Sequence, residues 1–104
     1  MGMCGLESCT KQFDLILGER RNVFFELSSA NGTGEFVIMN ATWELQNEKD
    51  ESDYEEGYCT IHDHEVVCKI CPSQIGTYLL TASCEVGDEI IKETAIIYVD
   101  KTRR

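Results

Sequence analysis

The densest chemistry in the chain lies between Glu56 and Pro72, EGYCTIHDHEVVCKICP, which carries three of the six cysteines and both histidines. Thiolate sulfur and imidazole nitrogen are the usual ligands of tetrahedral zinc. Cys59, Cys68, Cys71 and Cys84 are therefore the candidate metal ligands, with His62 and His64 as alternates. Their spacing argues against a metal. Cys68-Lys69-Ile70-Cys71 is a CxxC, but no second CxxC and no HxxxH accompanies it. The histidines flank Asp63 at a turn, and an extended chain carries that turn away from the sulfurs by about 3.3 Å per residue. The expectation is a chain with no cofactor and no metal.

Redox and nucleophilic chemistry fare no better. A thioredoxin-like CxxC uses a helix N-terminus to lower the thiol pKa. Here a strand pattern precedes the motif and Pro72 follows it at once. Nothing in the spacing holds a base beside a thiol, as covalent catalysis requires. No residue is assigned a catalytic role, and the chain is expected not to be an enzyme.

Counted as a hairpin with Asp63-His64 as its loop, the stretch pairs His62 with Glu65, Ile61 with Val66, Thr60 with Val67, and then Cys59 with Cys68. Directly opposed residues bring their Cβ atoms into contact range. Two fates are open to the cysteines. They form a cross-strand disulfide, whose geometry is demanding, or Cys59 and Cys84 fill core positions as small hydrophobes with Cys68 paired or free. Cys4 and Cys9 belong to a leader and are free or paired with each other.

The elements that position these residues read with period two. Phe13-Asp14-Leu15-Ile16-Leu17 puts Phe13, Leu15 and Leu17 on one face. Val23 to Leu27 follows a polar connection, and Ser28 to Gly34 is a turn cluster centred on Asn31-Gly32, a strong turn dipeptide. In Phe36 to Gln46, Ala41, Trp43 and Leu45 alternate with Thr42, Glu44 and Gln46, the pattern of a half-buried strand. Thr77 to Glu85 and Ile90 to Val99 pair across Gly87-Asp88. About seven short strands without an amphipathic helix predict an all-β fold, an immunoglobulin-like antiparallel β-sandwich. Residues 1–10 are expected to be a flexible leader, 11–100 one domain and 101–104 a short basic tail. Trp43, Tyr78, Leu80 and Ile97 are the predicted core.

Charge narrows the partners. Nineteen acids against nine bases give a formal net charge of −10. Phosphate backbones and anionic lipid are repelled, so neither nucleic acid nor membrane is expected as a partner. No apolar run is long enough for a spanning helix. Six acids, Glu48, Asp50, Glu51, Asp53, Glu55 and Glu56, fall within nine residues. They lack calcium-loop spacing and read as a solvated loop. MGMCGLESCTKQ has neither a basic nor an apolar region of a signal peptide, which predicts a reducing, intracellular origin. On that expectation the sequons at Asn31 and Asn40 are chance matches. No small-molecule substrate is evident, leaving protein partners or self-association.

Taken in order, LILGERRNVFFEL, FVIMNATWEL, the cysteine hairpin, GTYLLTASCEVGDE and IIKETAIIYV resemble a known pattern. They are similar to the small immunoglobulin-like domains of tailed-phage and prophage structural proteins, including the N-terminal domain of baseplate upper proteins. The match rests on the packing positions Trp43, Gly76, Tyr78 and Val99. The cysteines and the acidic run depart from the pattern. The resemblance implies a non-catalytic structural or interaction module of a virion, located in the particle or the bacterial cytoplasm. The competing reading is a secreted or surface-displayed adhesion domain stapled by disulfides.

Overall fold

The computed structural model describes residues 11–27 and 37–102. Among the described residues eight strands follow in chain order: β1 Lys11–Ile16, β2 Arg21–Glu26, β3 Ile38–Asn47, β4 Tyr54–Tyr58, β5 Thr60–His62, β6 Glu65–Ile70, β7 Gly76–Val86 and β8 Glu89–Asp100. They form two sheets, ordered β1-β8-β7-β3-β4 and β2-β6-β5. The fold is an all-β sandwich, with one strand more than the seven read from the sequence. The predicted leader, the turn cluster at Ser28 to Gly34, and Arg103 and Arg104 lie outside the described residues.

The core follows from alternation. In β3, Ala41, Trp43 and Leu45 are buried while Glu44 is exposed, and in β7 Tyr78, Leu80, Ala82 and Cys84 are buried opposite them. The smaller sheet supplies Val23, Phe25, Val66, Cys68 and Ile70, and β8 adds Ala95, Ile97 and Val99. Each large aliphatic or aromatic side chain so buried contributes about 1.5–3 kcal/mol. One side of the sandwich is tied by Lys11, whose Nζ donates to the Phe24 carbonyl at 3.0 Å and lies 5.2 Å from the centre of the Phe25 ring.

Three features differ from the expectation. The sandwich is not wholly antiparallel, because β1 pairs with β8 in parallel, Lys11 with Ala95 through Ile16 with Asp100. No hairpin joins these strands, so nothing local fixes their relative direction. Leu17, expected on the inner face with Phe13 and Leu15, is 41% exposed. The strand ends one residue before it, where Glu19 caps the turn by accepting from the Ile16 amide at 2.8 Å. The acidic run is only partly loop. Its second half is β4, a five-residue edge strand against β3, where acids are tolerated because the outer face and free edge meet water.

Candidate functional site

Between Tyr54 and His62 the chain changes sheets. β4 belongs to the five-stranded sheet and β5 to the three-stranded one, and Cys59 is the residue between them. Three pairs counted from the sequence are present in the hairpin: His62 with Glu65, Ile61 with Val66 and Thr60 with Val67. Asp63 takes a φ of 54° at its tip, the left-handed region that aspartate tolerates better than most residues. The ladder ends there. The Cys59 amide turns to the Ala41 carbonyl of β3, at 2.9 Å, instead of continuing toward Cys68.

The sulfurs nevertheless meet. Cys59 Sγ and Cys68 Sγ are 3.5 Å apart. Cys59, Cys68, Cys71 and Cys84 are free thiols. Cys68 and Cys84 are fully buried, whereas Cys59 and Cys71 are half-buried. The hydrogen bond between the two thiols lowers the pKa of Cys59 and, with burial added, raises that of Cys68. Burial, with the charges of Cys59 and Glu93 behind it, pushes Cys84 up to about 11. Cys59, Cys68 and Cys84 thus share one end of the core, while Cys71 lies beyond β6 beside the buried Pro72. His62 is exposed on β5, and the His64 carbonyl accepts from the Leu27 amide at 2.8 Å. Among the described residues no three histidine, cysteine or acidic side chains are arranged to hold a metal ion.

On the water side of the same segment lies a face whose position the sequence did not reveal. β4 forms one margin of its sheet. Alternation sends Tyr54, Glu56 and Tyr58 outward, and Tyr58 is 80% exposed. Glu56 is the register partner of Glu44 on β3, so two carboxylates stand side by side, an arrangement that is repulsive. The Tyr54 hydroxyl donates to Glu56 Oε1 at 3.1 Å. Partial desolvation, this bond and the Glu44 charge raise the pKa of the Tyr54 phenol. Beyond Tyr58 a groove of about 270 Å³ continues over the smaller sheet between Phe24, His62 and Val67.

The inner side of β4 explains how the strand is held. Gly57 opposes Trp43, and a Cβ at Gly57 would come within 2.9 Å of the indole carbon Cζ2. The indole lies directly on the glycine backbone, leaving Trp43 8% exposed. Only glycine permits this approach. The signal was in EEGY, but an isolated glycine after an acidic run also reads as loop.

The first half of the acidic run is closed on itself. Asn47, buried at the end of β3, accepts from the Lys49 and Asp50 amides at 2.8 and 3.1 Å and donates to Asp53 Oδ2 at 3.0 Å. The Tyr78 hydroxyl donates to the same Asp53 carboxylate and accepts from the Gln74 amide at 3.0 Å. Gln74 Nε2 reaches Asp50 at 2.9 Å and Ser73 reaches Asp53 at 3.2 Å. Among the described residues no buried side-chain polar atom lacks a partner.

The sequence matches no protein-family model and no curated protein. In structure the chain is similar to CopC from Methylosinus trichosporium OB3b, with a TM-score of 0.61 over 93% of this chain and 91% of that one. The two sequences are 12% identical. What they share is the fold, a β-sandwich.

Proposed function

We propose that the chain is a non-catalytic protein-interaction module that docks a basic strand or loop along β4. The observation that carries this reading is that β4 is the last strand of its sheet among the described residues, with Tyr54, Glu56 and Tyr58 facing water beside Glu44. An exposed strand margin is a ready template for an added strand, with side-chain contacts supplying selectivity. The opposed carboxylates gain from a lysine or arginine between them, and the flanking tyrosines supply aromatic faces for its charge. A net charge of −10 steers a basic partner inward and disfavours pairing of two acidic β4 margins. The setting implied by the family resemblance is a phage or prophage particle, with a larger virion protein as the partner. A gene neighbourhood free of portal, tail and capsid genes would count against that setting.

Titration with a lysine-rich strand-forming peptide, followed residue by residue by amide NMR shifts, tests the docking face. The expected result is a set of shifts centred on Tyr54 to Tyr58 that weakens as salt rises. Shifts confined to β1, or none, would reject the reading.

A further inference from the structure

We infer that Cys59 and Cys68 form a peroxide-sensitive dithiol whose oxidation staples the sheet-changing segment to β6. This goes beyond the docking reading and does not depend on it.

The geometry supplies each requirement. The two sulfurs are already 3.5 Å apart, and a disulfide closes that gap to about 2.05 Å. Cys59 stands outside both ladders, between the end of β4 and the start of β5, so its side chain turns without breaking a strand pair. Cys59 is a half-buried residue and Cys68 a fully buried one. A small oxidant therefore meets Cys59 first, and the hydrogen bond it shares with Cys68 favours thiolate at that position. Reactive thiols are those that combine thiolate character with access.

The step balances with hydrogen peroxide as oxidant. The Cys59 thiolate attacks one peroxide oxygen, the O–O bond breaks, and the departing hydroxide takes up a proton to leave as water. Cys59 is then a sulfenic acid. Cys68 attacks that sulfur, the S–O bond breaks, and the hydroxyl leaves with the Cys68 proton as a second water. Two thiols are oxidised to one disulfide and one peroxide is reduced to two waters.

Position gives the bond its consequence. Cys59 is held to β3 through its amide and would be held to β6 through its sulfur. Oxidation thus joins the two sheets covalently where one strand passes between them. The buried Cys84 is the nearby competitor, but the sulfur in contact with Cys59 is that of Cys68.

The test uses the reduced 104-residue chain, one equivalent of hydrogen peroxide, alkylation of the remaining thiols and tryptic digestion. Cleavage after Lys49 and Lys69 releases a peptide whose only cysteines are Cys59 and Cys68. It should lose the mass of two hydrogens and take up no alkyl group, and the oxidised protein should melt several degrees higher than the reduced one. Cys59→Ser should abolish both changes, and Cys84→Ser should leave both. The wild-type peptide decides the matter even where a variant folds poorly. Two alkylated thiols in that peptide, a sulfinic acid at Cys59, or a bond from Cys59 to Cys4, Cys9, Cys71 or Cys84 would each overturn the inference.

Discussion

Asp53 and Glu56 lie three residues apart in the same acidic run, and the fold gives them opposite surroundings. Asp53 receives the Tyr78 hydroxyl, the Asn47 amide and the Ser73 hydroxyl. Glu56 receives the Tyr54 hydroxyl and stands opposite another carboxylate, Glu44. The difference comes from the strand boundary at Tyr54. Before it the chain folds back on Asn47 and Tyr78, so carboxylates meet donors. After it the chain is extended, and alternation turns every second side chain to water. A run of like charges is thus not one functional unit. Acids that take donors from other segments of the chain, as Asp53 does from Asn47, Ser73 and Tyr78, become structure, and Glu56, bonded only within its own strand, stays at the surface.

The largest effect should come from opening the closed corner. Asn47→Ala removes an acceptor from two amides and a donor from Asp53 in a buried position. It should cost about 2–3 kcal/mol in urea denaturation, because buried groups left unpaired lose their full solvation. A loss below about 0.5 kcal/mol would mean that the corner is not held by these bonds.

Next in size is the contact that anchors the open side. Gly57→Ala drives a methyl into the Trp43 indole and should cost about 2 kcal/mol, in the range of overpacked cores. Tryptophan fluorescence should shift to the red as the indole moves toward water. Unchanged emission and stability would show that β4 is not seated on Trp43.

Titration separates the carboxylate from the phenols by sign. Asp50 is held below its ordinary value of 3.8 by the Ser52 hydroxyl and then by Gln74. Its contribution is therefore present above pH 3.8 and lost as pH falls through the lower folded value. Tyr54 and Tyr78 are raised above 10, each by desolvation first and a carboxylate bond second. Their contributions are present below pH 10 and lost as pH rises through the folded values. Urea midpoints across pH should fall at both limits, and Asp50→Asn should flatten the acid limb alone. A base limb unchanged in Tyr54→Phe would remove the open face from this balance.

The smallest stability effect should carry the sharpest functional contrast. Replacing Glu44 and Glu56 together by glutamine removes the opposed charges, so stability should rise slightly, by about 0.5 kcal/mol. Binding of the lysine-rich peptide should weaken at least tenfold by fluorescence anisotropy. Unchanged affinity would place the docking surface elsewhere.

The sheet framework was largely legible in the residues. ATWEL and TYLLTASC alternate so cleanly that only one register buries Trp43, Leu45, Tyr78 and Leu80 together, and a one-residue slip would turn all four outward. Three hairpin pairs followed from counting across Asp63-His64. β4 was not legible, because Tyr54-Glu55-Glu56-Gly57-Tyr58 has neither apolar alternation nor β-branched residues. It is a strand because β3 offers it a partner and Trp43 covers its glycine, which are tertiary facts. The parallel pairing of β1 with β8 was hidden for the same reason.

Period-two burial, the hairpin register and the excess of acid over base are local or additive properties, and the sequence by itself determined them. Tertiary structure decided where each acid came to lie and by what route the two sulfurs, already opposed in the hairpin count, are brought together. Cys59 and Cys68 meet although their ladder stops one residue short, because the chain changes sheets at Cys59 and its amide is taken by Ala41. That choice depends on which distant carbonyl is within reach, and no spacing along the chain encodes it.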